Sequence, residues 1–412
     1  MVTKRKKIWL VNPYGPIPSE AWRDYSFSIF GKYLSNQGFE VTWWTSNFSH
    51  HFKNFRSDNF EVISVNENFK IKLVPTTSYK KNIGVGRIIR DWVFSFKTYE
   101  LGKKENPPDL ILYSESPLSF GYAGPALAKY HNCKLVYDQM DLWPELIVDS
   151  FPRRFRKFIN FFLWPVFKKR KKIFESLDGI ISLAEPYLKE AFEVSPSLKN
   201  KPFEIIYNGI DLEEFRRLMK PSQNFKIPFS MEKKVNVIFA GSLGPSYDVR
   251  NILKVAQTIE KSHPEIQFII AGDGPEKEKI LEEEIKLKNL TYLGKLKPKD
   301  LCVVFNYCDI GLAAYSPSSN VQMPDKFYDY TSAGLAIVCS LKGEVLKKII
   351  DGNAGIEYQA GEHDSLKDAI LKISYNLKAL EKLKICSYEL AKEFSSKNQN
   401  KKLLKFIKEV VE

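Results

Sequence analysis

Apolar residues recur along this chain in two alternating rhythms. Short apolar runs, the mark of strands covered on both faces, occur at residues 7–12 (KIWLVN), 39–45, 61–65, 71–75, 110–113 and 134–138. Between them lie longer stretches with apolar residues three and four apart, beginning with a predicted helix over 21–37 that stops at Gly38. The pattern then restarts. Strands are predicted at 235–240 (VNVIFA), 267–271, 291–293, 310–313 and 336–339, and helices at 249–262, 275–288, 298–307 and 325–333. Strand–helix alternation of this kind gives a parallel sheet wrapped by helices. Two such series give an α/β chain of two doubly wound, Rossmann-like domains. Because these sheets bind ligands beyond the carboxyl ends of their strands, the two domains are expected to face a cleft. The first domain is read as 1–208, closed by a strand within 201–208. Residues 209–232 are polar and irregular and read as a linker, and 233–397 form the second domain. The amphipathic stretch 398–412 is expected to pack back on the first.

Two glycine turns follow strands directly in the second half. Gly241-Ser242-Leu243-Gly244 comes after VNVIFA, and Gly272-Asp273-Gly274-Pro275 comes after QFIIA; each precedes a helix. Glycine admits a ligand close to the backbone, and a helix N-terminus attracts phosphate. Turns between strand and helix also use glycine for purely structural reasons. A third segment, PDKFYDYTSAG (324–334), places Asp325 and Asp329 one turn apart on a helix, with Lys326 and Tyr330 forming a second such pair. Alone it reads as a solvated helix.

In this order, and preceded by Ile206-Tyr207-Asn208-Gly209-Ile210-Asp211, these segments resemble the retaining GT-B glycosyltransferases of glycosyltransferase family 4. The resemblance implies that the Gly241–Gly244 turn holds the donor diphosphate, with Gly272 and Gly274 beside it. It also implies that Asp329 contacts the donor ribose and that Gly15, in NPYGPIP, lies against the donor's sugar and phosphate. The phrase Asp138-Gln139-Met140-Asp141-Leu142-Trp143-Pro144-Glu145 resembles the DLWPE phrase of the branch that builds lipopolysaccharide and capsule sugars. Asp141, at the end of a strand, is a candidate to touch donor or acceptor, or else an N-cap for the next helix.

The chain also departs from that family. Many members carry two acidic residues eight apart, where this sequence has Val321 and Asp329, and many carry an Arg and a Lys after the glycine turn, where it has Ser242 and the stretch 245–248. A pyrophosphate leaving group needs positive partners. Lys326 is the first candidate, with Arg23 and Arg250 as further ones. The catalytic set is accordingly Asp141, Lys326 and Asp329. As the resemblance implies, no metal is expected and no cofactor beyond a UDP- or GDP-sugar donor.

Charge sharpens the picture. Of 412 residues, 62 are Lys or Arg and 49 Asp or Glu, a net +13. Residues 151–175 hold nine bases (Arg153, Arg154, Arg156, Lys157, Lys168, Lys169, Arg170, Lys171, Lys172) and one acid. Residues 79–104 hold seven bases and two acids, so the two segments account for the whole net charge. Each interleaves its bases with large apolar groups: FINFFLWPVF, with Trp164 and Phe167, in the first, and Ile88, Ile89, Trp92, Val93, Phe94 and Phe96 in the second. An aromatic face flanked by Lys and Arg suits an anionic membrane surface. The competing reading puts residues such as Phe162 and Val166 in the core.

The expected partners are therefore a nucleotide sugar, a lipid-linked glycan acceptor and the inner face of the plasma membrane, where the protein is expected to sit peripherally from the cytoplasm. The expected role is bacterial surface-polysaccharide (O-antigen or capsule) synthesis. No nucleic-acid module is visible, so nucleic acid is not an expected partner. A nucleotide-sugar 2-epimerase of the same fold and a catalytically silent membrane scaffold stay open as alternatives. Five cysteines without ligand spacing give no metal site and fit a reducing compartment. The basic start (residues 1–7) lacks a signal-length apolar stretch, and no run reaches the ~18 apolar residues of a span.

Overall fold

A computed structural model describes residues 5–20, 24–80, 84–114, 123–149, 151–221 and 235–412. In the first unit the strands are β1 (Lys7–Val11), β2 (Glu40–Ser46), β3 (Glu61–Asn66), β4 (Phe69–Val74), β5 (Leu110–Tyr113), β6 (Lys134–Gln139), β7 (Gly179–Ser182) and β8 (Phe203–Ile205). Its helices are α1 (Ser26–Asn36), α2 (Val85–Gly102), α3 (Ala123–His131), α4 (Glu145–Asp149), α5 (Arg153–Ser176) and α6 (Glu185–Val194). The sheet order is β3-β4-β2-β1-β5-β6-β7-β8, parallel apart from β3, which runs antiparallel to β4 at the edge.

Alternation along each strand builds two cores, one per face. Ile8 and Leu10 of β1 point to a cluster with Phe27, Phe30 and Leu34 of α1. Trp9 and Val11 point the other way, to Phe94 of α2, Leu127 of α3, Phe174 of α5 and Leu188 of α6.

The second unit opens with α7 (Leu212–Met219). This helix forms inside the stretch the sequence pattern leaves irregular. Asp211 caps it by accepting from the Glu213 and Glu214 N–H groups, and Phe215 stacks on Phe305. The strands β9 (Val235–Ala240), β10 (Ile266–Ala271), β11 (Leu290–Tyr292), β12 (Ile310–Ala313), β13 (Ala336–Cys339) and β14 (Gly355–Glu357) form an all-parallel sheet in the order β11-β10-β9-β12-β13-β14. Helices α8 (Val249–Ile259), α9 (Lys277–Lys286), α10 (Pro298–Phe305), α11 (Asp325–Ala333), α12 (Glu344–Asp351), α13 (His363–Ser374) and α14 (Leu377–Glu393) complete it.

The last helix, α15 (Ser396–Val411), returns to the first unit, so the two compact units are Met1–Tyr207 with Gln399–Glu412, and Asn208–Asn398. Its Leu403, Phe406, Ile407 and Val410 recur at helical spacing and enter the core beside α1. The Gln399 side chain accepts a hydrogen bond from the Tyr207 N–H at 3.1 Å. Both units are doubly wound α/β sheets.

The sequence pattern predicts no strand at the short runs GIIS and GIE, which form β7 and β14. The helix predicted from residue 21 starts at Ser26, and Ala21, Trp22 and Arg23 lie outside the described residues.

Candidate functional site

In the second unit the two glycine turns sit side by side at the carboxyl ends of β9 and β10. The Gly241 N–H donates to the Ala271 carbonyl at 2.9 Å, and the Leu243 N–H donates to that of Asp273 at 3.0 Å. The Asp273 carboxylate accepts from Gly274 N–H at 3.0 Å. Gly272 adopts φ +155° and carries no side chain because a Cβ there would collide with the Gly241 carbonyl. Gly272→Ala is therefore expected to lower the melting temperature of the chain by several degrees, about 2–3 kcal/mol of strain, in a thermal denaturation scan.

These contacts correct one expectation. Leu243 is fully buried in the core of this unit, and its N–H is already used. Its place in the turn is structural. Ser242 is exposed, and the N–H groups of Ser242 and Gly244 make no hydrogen bond among the described residues. They are the donors this turn offers to an anion.

Lys326 stands directly behind the turn. A Cβ on Gly241, which has φ +146°, would strike the Lys326 ammonium. The lysine is 6% exposed, with Nζ 4.0 Å from the Tyr247 ring centroid, 4.8 Å from Phe239 and 5.5 Å from Tyr315. Burial pushes its pKa down to about 8, with Asp325 and Asp329 of its own helix opposing. Asp325 is exposed and Asp329 half-buried. Tyr330, paired with Lys326 by spacing, proves to be a core strut: its hydroxyl accepts from Ala240 N–H at 3.1 Å and donates to the Leu312 carbonyl at 3.3 Å. Arg250 is committed elsewhere, its guanidinium bound to Glu276 by two hydrogen bonds of 3.0 and 2.9 Å. Val321 is 40% exposed.

The first unit holds a cavity of about 470 Å³ at the carboxyl ends of its own strands. Asn12, Tyr14, Gly15 and Pro16 follow β1, Ser114 follows β5, Met140, Asp141 and Trp143 follow β6, and Leu183 follows β7. Tyr25, Ser26, Phe27, Ser28, Trp43, Tyr137, His50, His51 and Arg87 complete its wall. Gly15 lies against the Trp43 ring, and its carbonyl accepts from Arg56, which also pairs with Glu20.

A polar cluster distant in sequence shapes one wall. The Tyr14 hydroxyl donates to the Asp91 carboxylate at 2.9–3.0 Å and accepts from Arg87 Nε at 3.1 Å. Arg90, fully buried, pairs with Asp91 at 3.2 Å. Burial, with the charges of Lys53, Arg87 and Arg90, pushes the His50 pKa down to about 3, so this imidazole is neutral.

Asp141 opens into the cavity and is not the cap of α4, whose N-terminal residue is Glu145. Asp141 is solvent-exposed, and the protein atoms crowding its carboxyl raise the pKa to about 6, against a hydrogen bond with Trp143 and the charge of Arg87. The aromatic wall and neighbouring hydroxyls suit a carbohydrate, and a carboxyl poised near neutrality suits proton exchange with one of its hydroxyls.

The basic helix divides by face. Arg153, Arg154, Lys157, Lys168, Lys171 and Lys172 are exposed, as are Phe158 (61%), Phe161 (76%), Phe162 (61%) and Trp164 (59%). Phe162 is therefore surface, not core. The two segments adjoin, since Lys169 of α5 lies 5.8 Å from the ring centroid of Trp92 on α2. Of the residues expected on a membrane face, Arg170 does not belong there. It is 3% exposed and points inward, because Glu145 and Glu190 sit beneath it. Phe167 is half-buried against that guanidinium, and Arg156 pairs with Asp149 at 2.7 Å. On α2, Phe94 and Arg90 are core, while Ile89, Trp92 and Phe96 are exposed.

Residues 29–214 match the family described as Glycosyltransferase Family 4, and residues 221–389 the family described as Glycosyl transferases group 1. Sucrose-phosphate synthase from Thermosynechococcus elongatus superposes with a TM-score of 0.68 at 15% identity, covering 98% of this chain and 99% of that one. Anabaena HepE in complex with UDP superposes at 0.67 with 13% identity, covering 98% and 99%. The chain has the GT-B fold, and a glycosyltransferase family model matches part of each of its two halves. Over 125 residues it is 31% identical to UDP-glycosyltransferase TURAN of Arabidopsis thaliana, 29% of this chain and 26% of that protein. The matches to curated relatives span 26% to 40% of those proteins' length.

Proposed function

We propose that the chain transfers a sugar, with retention, from a nucleoside-diphosphate sugar to a lipid-linked glycan at an anionic membrane surface, in bacterial surface-polysaccharide synthesis. The observation that carries the donor half is Lys326. A buried ammonium behind a turn whose two N–H donors are unused among the described residues suits a diphosphate, and it would supply positive charge for the leaving group without requiring a metal. Asp329, one turn further along α11, is then the ribose contact. HepE, of the same fold, is known in complex with UDP, which favours a uridine donor.

The acceptor half rests on the first-unit cavity and on the aromatic–basic face of α2 and α5. Asp141 accepts the proton or hydrogen bond of the acceptor hydroxyl. Calorimetry with UDP and GDP, followed by transfer of labelled sugar to membrane extracts, tests the reading; absence of any nucleotide binding overturns it. Asp141→Asn is expected to cut turnover about 100-fold with nucleotide affinity unchanged. In the wild type, the acidic limb of the rate–pH profile is expected near pH 6, where the carboxylate becomes protonated.

A further inference from the structure

The helix that carries the exposed aromatics also carries, on its opposite side, the group that holds the wall of the first-unit cavity. Arg170 Nη1 donates to the Trp143 carbonyl at 2.8 Å and to Glu145 Oε2 at 2.9 Å, and Nη2 donates to Glu145 Oε1 at 2.7 Å. Nη2 also lies 2.9 Å from Glu190 Oε1 of α6, and the other oxygen of Glu190 accepts from Gln139 at the end of β6. One guanidinium thus bridges α5, α6 and both ends of the loop 139–145, on which Asp141 lies two residues from Trp143. The bidentate fork fixes direction as well as distance, which a lysine ammonium in its place does not. Burial and the neighbouring Glu145 raise the Glu190 carboxyl despite Arg170, so the cation is what keeps two acids together here.

We propose that Arg170 is a positioning residue for the Asp141 loop, and that through it the seating of α5 on an anionic bilayer sets that loop. The proposal rests on the membrane and acceptor reading above and adds to it a mechanical link. Pro165 removes the backbone hydrogen bond to the Phe161 carbonyl, but the exposed Lys168 and Lys171 lie beyond it, within one turn of the buried Arg170 guanidinium, so a shift or damping of this part of α5 at the bilayer reaches the loop through three hydrogen bonds. Linkage is reciprocal: an acceptor that orders the loop strengthens vesicle binding by the same factor.

Amide hydrogen exchange on the full chain, with and without vesicles of equimolar phosphatidylglycerol and phosphatidylcholine, tests it. In the wild type, vesicles are expected to slow exchange in α5 and also in residues 139–149. In Arg170→Lys, the α5 effect is expected to persist, because the residue is not at the surface, and the 139–149 effect to disappear. Glu145→Gln, at a half-exposed position that leaves the Arg170–Glu190 pair intact, is expected to halve the 139–149 effect or more while keeping the melting temperature, which guards against a misfolded Arg170 variant. In a transfer assay both variants are expected to raise the acceptor KM about tenfold with the donor KM unchanged. Protection of α5 without any change at 139–149 in the wild type, or an undiminished 139–149 response in both variants, overturns the link alone. No protection of α5 overturns the membrane reading, and the link with it.

Discussion

Lys326→Met is expected to weaken UDP binding about 30-fold, as read by calorimetry at pH 7, while leaving the chain at least as stable as before. The two effects have opposite signs for one reason. Lys326 is buried among the rings of Phe239, Tyr247 and Tyr315, and burial disfavours its charge, holding its pKa near 8. A diphosphate restores the missing counter-charge, and a charge-assisted hydrogen bond of this kind contributes about 1.5–3 kcal/mol. Methionine removes that contact but fills the same space without a desolvation penalty. The sign of the stability term follows from the lowered pKa. Between about pH 8 and 10.5 the unfolded chain binds more protons at this site than the folded one, so stability rises with pH across that window. Below about pH 8 the penalty is present in full. The melting temperature of Lys326→Met should therefore exceed that of the wild type at pH 7, and the gap should close above pH 10. UDP affinity of the wild type should fall as pH rises through about 8, whereas that of the variant should stay flat between pH 7 and 9. Equal UDP affinity in both proteins would remove Lys326 from the donor site.

Phe158→Ser, Phe161→Ser and Trp164→Ser combined are expected to lower partition onto anionic vesicles at least 100-fold, measured by co-sedimentation, with no loss of thermal stability. These side chains are 61%, 76% and 59% exposed, so the fold gains little from them. Inserting each into the headgroup region contributes about 1 kcal/mol, a part of the ~1.5–3 kcal/mol for full burial of a large apolar side chain. The flanking lysines and arginines add about 1 kcal/mol each near an anionic surface, so wild-type binding should also weaken steeply with salt. No helix among the described residues is long and apolar enough to cross a membrane. Vesicle binding that survives the triple substitution would place the membrane contact elsewhere.

Much of this site was legible along the chain because its signals are local. A strand, a glycine turn and a helix N-terminus are consecutive in sequence, and so the turns at Gly241 and Gly272 and the helix from Asp325 emerge from pattern alone. The short strands β7 and β14 escaped because three or four apolar residues resemble the edge of a helix as much as a strand. Arg170 escaped for a different reason. It stands in a run of five consecutive bases, and spacing does not say which of them faces inward. That is decided by Glu145 and Glu190, brought beneath it from 25 residues before and 20 after. The Tyr14–Asp91–Arg87 wall joins residues more than 70 positions apart and has no local trace.

By itself the sequence determined the two doubly wound sheets, the glycine turns and the confinement of the net charge to two aromatic-laced segments, because periodicity, turn chemistry and charge are properties of neighbouring residues. Only the tertiary structure decided which of those charges are free for a partner. It turned Arg90 and Arg170 into buried struts, committed Arg250 to Glu276 and set Lys326 against Gly241. Whether a charge is solvated or paired depends on what packs over it, and that is settled by contacts between segments far apart in the chain.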